Sequence, residues 1–281
     1  MPKLLAAVAL IVALNLPTPA EELVCAKVAK LPAIDGKADD DVWKTAKELT
    51  AKIDEPDEEN PKKKISIKAV HDGDSIAILM VWEDPDRSDA QAPFVWKDSA
   101  YEADEEKVED RCSIAFEMEG KFDSDMKAGI ESKWDVWEWC AARANNGFGL
   151  DRTHIYSKNP PPAPIKARRL TARDGSLIHF WHPHDEGTPC FKTIPAPESK
   201  GAPVVLQHQP QTPTGSAADV QAKGEWANGK WTVEFKRKLN TGHKDDTVLA
   251  AGKALGIAVA TFDKAEKSDH TVSKVITLKI Q

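Results

Sequence analysis

The sequence of 281 residues has no excess of positive charge, no long apolar run and few cysteines. Its 45 Asp and Glu residues outnumber 38 Lys and Arg residues, and the net charge of −7 disfavours a nucleic-acid binder, which needs a basic face for phosphate. No stretch approaches about 18 apolar residues, so no membrane span is predicted. Four Cys residues are too few for a disulfide-dense miniprotein, and their spacing leaves disulfides and free thiols open.

Motifs for nucleotide and hydrolase chemistry are also absent. The chain has no glycine-rich phosphate loop, no Gly-x-Ser-x-Gly elbow and no His-Glu-x-x-His. It also lacks Cys-x-x-Cys-His, the attachment site of a covalent c-type haem. We therefore predict that the chain alone is not an enzyme.

Residues 1–20 are typical of a secretory signal peptide. Lys3 gives a short positive region, residues 4–16 are mostly apolar but shorter than the ~20 residues of a membrane helix, and Ala20 is a small residue before the expected cleavage point. We expect an exported, soluble protein, periplasmic or secreted, whose single domain spans residues 21–281.

Short strand-like runs dominate the rest of the chain. Residues 65–70 and 75–82 flank an Asp-Gly turn, and residues 220–226 and 231–238 flank Asn228-Gly229, so each pair predicts a β-hairpin. A helical pattern occurs only at residues 39–50. The fold predicted is all-β, an immunoglobulin-like antiparallel β-sandwich with long irregular loop insertions. The largest is the proline-rich loop region 159–217, which holds more than half of the 19 prolines.

Tryptophan is unusually frequent, with nine Trp to two Tyr, and one run is rich in it. If residues 134–141 form a strand, Trp137 and Trp139 lie on one face, and Val136 and Glu138 lie on the other. Two indoles two residues apart form a flat apolar wall that can cover a planar ligand, and packing in the core explains them equally well.

Four segments carry a family resemblance: 31–43, with its Ile-Asp-Gly, acidic run and Trp, then 81–88, 134–151 and 218–239. The first alone resembles the opening of sandwiches related to family 9 carbohydrate-binding modules and DOMON domains. In order, the four resemble the haem-binding domain of the ethylbenzene dehydrogenase γ-subunit family, also described as the cytochrome c-552/DMSO-reductase-like haem-binding domain. The resemblance covers roughly residues 30–281.

This resemblance implies a β-sandwich that holds one haem b non-covalently in an exported electron-transfer protein. Its partners would be a redox protein or the molybdenum and iron–sulfur subunits of a larger enzyme. In the better-known members a Met and a Lys hold the iron. The corresponding Met is Met126, with Met118 in reserve and Met80 assigned to the core.

The second ligand stays open at this point. Our alignment puts Gln221 at the family's Lys position, Lys223 lies two residues further on the same strand face, and His154 follows the Trp-rich strand. We predict His154 as the alternative axial ligand, because an amine must lose its proton before it binds iron. Arg143 and Arg237 are candidates to pair with haem propionates.

Two further interpretations come from the same residues. His182 and His184, in a run of three His and two acids, would project on one side as the start of a transition-metal site, although a solvated loop is the favoured reading. A carbohydrate-binding module on a related sandwich, with surface Trp stacked on sugar rings, is the alternative to haem binding.

Overall fold

The computed structural model describes residues 21–53, 63–264 and 270–281, and the predicted signal peptide lies outside them. The described residues form one short helix, α1 (Asp41–Thr45), one 3-10 turn (Ser216–Ala218) and many strands. The strands are β1 (Glu21–Lys27), β2 (Leu49–Ala51), β3 (Ile65–His71), β4 (Ser75–Glu83), β5 (Phe94–Lys97), β6 (Ala100–Ala103), β7 (Arg111–Gly120), β8 (Ser132–Cys140), β9 (Leu150–Ser157), β10 (Arg168–Thr171), β11 (Leu177–Trp181), β12 (Gly187–Thr188), β13 (Phe191–Thr193), β14 (Val204–Val205), β15 (His208–Pro210), β16 (Thr214–Gly215), β17 (Gln221–Ala227), β18 (Lys230–Lys238), β19 (Ala254–Phe262), β20 (His270–Val272) and β21 (Ile276–Ile280).

The large sheet has the strand order β10-β11-β9-β8-β7-β19-β21-β1-β3-β4-β18-β17, with β2 beside β3 and β20 beside β19. This confirms the all-β sandwich prediction. The pairing is antiparallel except at β1, which runs parallel to both β21 and β3. A parallel neighbour needs a long connection, and residues 28–64 provide one between β1 and β3.

The main core lies between two layers of this sheet. Trp137 and Trp139 on β8 pack against Phe235 and Trp231 on β18, with ring centroids 6.5 and 4.7 Å apart. Gly224 on β17 allows this close approach, because a Cβ atom there would lie 2.4 Å from the Trp139 ring. The two layers are therefore joined by a closely packed group of indoles.

Both predicted hairpins are present. β3 pairs with β4 from Ile65 opposite Trp82 to His71 opposite Ile76. β17 pairs with β18 across a two-residue turn, where Asn228 and Gly229 have φ angles of 53° and 73°. Two positive φ angles fit the type I′ turn that matches the twist of the strands.

Residues 159–217 contain more regular structure than the sequence predicted. β10 and β11 extend the large sheet, and β12 to β16 form short pairs, one of which adds β14 to the β5–β6 hairpin. The helix is shorter than residues 39–50, because β2 begins at Leu49 to pair with β3. In the part of the chain described, no helix is long and apolar enough to cross a bilayer.

Candidate functional site

The strands β7, β8 and β19 present two different faces. One face fills the core between the layers, and the other forms the floor of a cavity of about 320 Å³. Side chains on adjacent strands meet there in register, with Ala115 opposite Val136 on one side and Ala258 on the other. Ser113 and Ala260 continue this floor. Because these side chains are small, the space above the sheet stays open.

Aromatic side chains form the walls of the cavity. They are connected by ring contacts, with centroid separations of 4.4 Å between Trp134 and Tyr156 and 4.8 Å between Tyr156 and Phe180. Phe262 and His270 stack on each other at another part of the lining. A planar, largely apolar ligand would find matching surfaces on both floor and walls.

Met126 and His154 line this same cavity. Met126 lies in the loop between β7 and β8 and packs, partly buried, against the apolar cluster above the sheet. His154 lies on β9 opposite Trp134 and meets Phe180 edge-on, with centroids 5.1 Å apart. The structure therefore brings together the two predicted iron ligands from separate elements.

The protonation of the cavity histidines follows from their surroundings. Burial, with smaller effects of His182 and Arg152, lowers the pKa of His154 to about 3, so its imidazole is neutral at pH 7. Neutral imidazole is the form that binds a metal. His182 Nδ1 lies 3.1 Å from Arg152 Nη1 and must accept its hydrogen bond, which places the proton of the neutral ring on Nε2.

Charged groups line one end of the cavity. Glu138 lies 3.2 Å from Arg111 Nη1 and 3.3 Å from Arg152 Nε. Burial alone would raise the pKa of Glu138, but Arg152, Arg111 and Arg143 together hold it below its ordinary value. Glu138 is therefore an anion that fixes the guanidinium groups at the cavity edge.

Tyr156 places an unsatisfied polar atom in the cavity wall. Its side chain is 4% exposed, and its hydroxyl has no hydrogen-bond partner among the described residues. Burial raises the pKa of this hydroxyl well above its ordinary value, so it stays protonated. A buried hydroxyl without a partner costs free energy that a polar ligand atom would recover.

Trp137 and Trp139, predicted to cover a ligand, instead lie in the core on the opposite face of β8. Trp137 packs on Phe116 with centroids 4.4 Å apart, and Trp139 Nε1 donates to Asn145 Oδ1 at 3.1 Å. The strand does border the cavity, but through Trp134, Val136 and Glu138. Trp137 and Trp139 pack against the second layer, so they lie on the core face of β8 and not on its cavity face.

Three predicted basic residues lie away from the cavity lining. Arg143 is ion-paired with the buried Glu109, and Lys223 Nζ donates to the carbonyl of Asn145 at 2.7 Å. Arg237 is buried between Asp135 and Asp246, at 2.6 and 2.8 Å. Each cation is thus held by a partner that the sequence could not identify.

The remaining candidates are placed as follows. Met80 is buried in the core, as predicted, and Met118 is partly buried on β7 outside the cavity lining. His184 is exposed, and its ring centroid lies 6.4 Å from that of Phe191. All four Cys residues are buried, and the structure has them as free thiols.

The sequence analysis missed several cavity residues, among them Arg152, Tyr156, Trp134 and Phe180. Their signal was the alternation along β9, which puts residues 152, 154 and 156 on the face of the predicted ligand His154. Trp134 on β8 lies opposite His154 on β9, so its side chain is on the same face of the sheet as His154. This pairing identifies Trp134, rather than Trp137, as the tryptophan beside the cavity.

Comparison with known proteins gives a family and a fold. The family described as ethylbenzene dehydrogenase matches residues 40–273. No curated protein matches the chain.

Similar solved structures are carbohydrate-binding proteins at 10% identity. A family 9 carbohydrate-binding module from Caldicellulosiruptor kristjanssonii with cellotriose has a TM-score of 0.41, over 93% of this chain and 95% of that chain. The same module with glucose has a TM-score of 0.40, over 92% and 95%. A putative carbohydrate-binding protein from Bacteroides uniformis has a TM-score of 0.44, over 93% and 100%.

Proposed function

The chain belongs to the ethylbenzene dehydrogenase family, and on that premise we propose that it binds haem b non-covalently in the cavity above β7, β8 and β19 and transfers electrons. The observation that carries this proposal is the convergence of Met126 and His154 on one apolar cavity. They lie 28 positions apart in the sequence (154 − 126) and come from a loop and a strand.

The donor chemistry of the cavity fits haem iron. Met126 offers a thioether and His154 a neutral imidazole, and both are ligands that haem iron takes in electron-transfer proteins. Bound haem supplies a one-electron redox couple, whose potential a thioether ligand raises. Met126 and His154 are therefore the residues that would hold the iron.

The rest of the lining also fits the group. The floor of Ala115, Val136 and Ala258 is apolar and consists of small side chains, which leaves the space above the sheet open to a ring system. Arg152 and Arg168 line the cavity and can pair with the carboxylates of the ligand. The Tyr156 hydroxyl, which has no hydrogen-bond partner in the described part of the chain, can bond to a polar ligand atom.

The proposed setting is an exported one. Residues 1–20 predict transport to the periplasm or the medium, where the chain would act alone or as a non-catalytic subunit of an oxidoreductase. Its partner would be a redox protein or a molybdenum and iron–sulfur enzyme subunit. His154 and Met126 then act only to hold the redox group.

The carbohydrate-binding alternative has less support in the side chains. Sugar recognition by stacking needs exposed aromatic faces. Six of the nine Trp residues are at most 7% exposed, and Trp96, Trp181 and Trp226 are partly buried. No described Trp is exposed, so the haem proposal is preferred.

An absorption spectrum tests the proposal. Full-length protein, produced in a haem-replete periplasm or reconstituted with haemin, should show a Soret band and resolved bands on reduction. His154→Ala and Met126→Ala should each shift the bands and weaken haem affinity by at least about tenfold, the scale of losses at metal sites.

Matched controls separate ligation from folding. Met118→Ala and His243→Ala remove the same chemical groups outside the cavity lining and should leave the spectrum unchanged. A featureless spectrum after supplementation would overturn the proposal. Wild-type bands in both cavity variants would refute the ligand pair, and affinity for glycans in colourless protein would favour the alternative.

A further inference from the structure

Four aspartates gather in the interior on the side of β9 away from His154. They are Asp135 on β8, Asp151 on β9, Asp185 after β11 and Asp246 after β18, and each is at most 6% exposed. Arg237 on β18 is the cation of this group and is 1% exposed. Arg237 thus pairs with Asp135 and Asp246 and lies near Asp151, so carboxyl groups outnumber the one buried guanidinium in this interior region.

The hydrogen bonds of Asp135 and Asp246 satisfy only part of this group. Asp135 Oδ2 accepts from Arg237 Nη1 at 2.6 Å and from the amide of Thr247 at 2.7 Å. Asp246 accepts from Arg237 at 2.8 Å and from the Thr241 hydroxyl. The Trp137 indole is a further donor close to Asp135, and its hydrogen bond helps to lower the pKa of that carboxyl group.

Asp151 and Asp185 have three carboxylate oxygens without a donor among the described residues. Asp185 Oδ1 accepts from the Thr153 hydroxyl at 2.9 Å, but its Oδ2 has no donor in the described part of the chain. Both carboxylate oxygens of Asp151 lack a partner there, although the residue is 1% exposed. A buried carboxylate without hydrogen-bond donors is too costly to persist as an isolated anion.

The spacing of the oxygens fits a bound cation. Asp135, Asp151 and Asp246 each offer one oxygen, and these three atoms lie within 4.8 Å of one another. Two oxygens on one Ca²⁺ ion, at about 2.3–2.6 Å from it, are separated by at most about 5 Å. Three elements of the sandwich therefore hold ligand atoms at a distance that one ion can span.

We propose that Asp135, Asp151 and Asp246, together with Asp185, form a Ca²⁺ site. The donor set consists of carboxylate oxygens, which suit hard cations and not zinc, whose protein ligands are chiefly nitrogen and sulfur. Ca²⁺ accepts irregular sets of oxygens, whereas Mg²⁺ requires near-ideal octahedral geometry and retains its waters. The charge also fits, since a divalent cation offsets the excess of carboxylates over Arg237.

The surroundings of Asp151 support a need for positive charge. Burial and the nearby Asp135 raise its pKa well above the ordinary value, against the opposing effect of Arg237. Without a cation, a proton must neutralise the residue. The experiment must therefore distinguish a cation from a proton.

Calcium titration of chelator-treated, full-length protein without haem is the direct test, and it does not depend on the proposed function. Calorimetry should show one Ca²⁺ per chain, and the melting temperature should rise by about 5–10 °C at free Ca²⁺ a hundredfold above Kd. Mg²⁺ and Zn²⁺ at equal concentration should give a smaller rise.

Variants locate the site. Asp151→Asn should abolish the calcium-dependent rise, and because it removes a buried charge its melting temperature should not fall below that of calcium-free wild type. Asp185→Asn should weaken calcium binding at least tenfold and serves if the first variant does not fold. Asp41→Asn, at a side chain 96% exposed, should keep the full response.

Two results would overturn the proposal. Wild-type protein without binding heat or thermal shift up to millimolar Ca²⁺ would mean that protons neutralise the cluster. An unchanged calcium response in Asp151→Asn would place any bound ion elsewhere.

Discussion

The two faces of β8 and β9 carry different kinds of side chains. Neighbouring residues of one strand, such as Asp135 and Val136, belong to different sites. On the cavity side, Val136 and His154 belong to an apolar pocket with a thioether and an imidazole. On the other side, Asp135 and Asp151 belong to a buried group of carboxylates. Successive side chains of a strand point to opposite faces, so adjacent residues serve different environments.

This difference follows the usual preferences of metals. The cavity offers soft or intermediate donors suited to haem iron, whereas the carboxylates suit a hard cation. The sheet backbone separates the two sets and keeps each donor away from the other site. The predictions below test this separation.

The largest effect is expected at Arg237 on the carboxylate side. Arg237→Leu removes the cation that pairs with Asp135 and Asp246 and leaves their charges buried. In protein without added Ca²⁺ we expect a loss of about 3–5 kcal/mol in the free energy of unfolding, measured in urea.

Arg173→Ala is the matched control for this change. It removes an exposed ion pair with Asp125, and should cost less than about 1 kcal/mol. Equal losses in the two variants would contradict the view that the carboxylate side depends on charge compensation.

A smaller effect is expected from pH at Asp110, a buried carboxylate whose oxygens are partnered. Trp231 Nε1 and the amides of Ser88 and Lys264 donate to it. Burial nevertheless raises its pKa from 3.8 to about 6. Its contribution to stability is therefore complete below pH 4 and is lost as the pH rises through 6, by about 2–3 kcal/mol.

Urea unfolding of wild type and Asp110→Asn from pH 4 to 7 measures this contribution. The advantage of wild type over the variant should decrease as the pH rises. A difference that is constant with pH would show that Asp110 does not titrate in this range.

Substitutions with larger side chains should destabilise the closely packed core more than the floor of the cavity. Gly224→Ala places a Cβ atom 2.4 Å from the Trp139 ring and should cost about 1–3 kcal/mol. Ala258→Leu extends into the cavity, so it should change stability by less than about 1 kcal/mol while lowering haem uptake. A reversed order of the two unfolding energies would mean that the cavity floor is packed.

The smallest effect is expected at Tyr156. Tyr156→Phe removes a buried hydroxyl without a partner among the described residues, so haem-free protein should be equally stable or up to about 1 kcal/mol more stable. Thermal unfolding without haem measures this, and haem titration measures any contact with the ligand. A clear loss of stability without haem would reveal a partner for the hydroxyl.

Much of the fold was predictable because its signals are local. The alternation in β18 and the Asn228-Gly229 turn identify a hairpin without reference to any distant residue. Met126 was found through family resemblance, and His154 was found through its imidazole and its position after the Trp-rich strand. Their placement on one cavity agrees with the predicted roles, which the spectrum must test. The short strands β12 to β16 escaped prediction, because pairing with distant segments rather than periodicity creates them.

The failures at the site share one cause. Arg143 and Arg237 were candidates for propionates, but each is held by acids remote in sequence, Glu109 and Asp135. Composition says that a cation is present and nothing about its partner. Only the folded chain shows which acid reaches it.

The sequence alone predicted many of the longer strands, two tight turns and the family, since these depend on near neighbours and on the order of a few motifs. The tertiary structure decided which face of β8 packs against the second layer. As a result, Trp137 and Trp139 lie in the core and Trp134 lies beside the cavity. The alternation of side chains along a strand shows which residues share a face, but it does not show which of the two faces is buried. That choice depends on what packs against it.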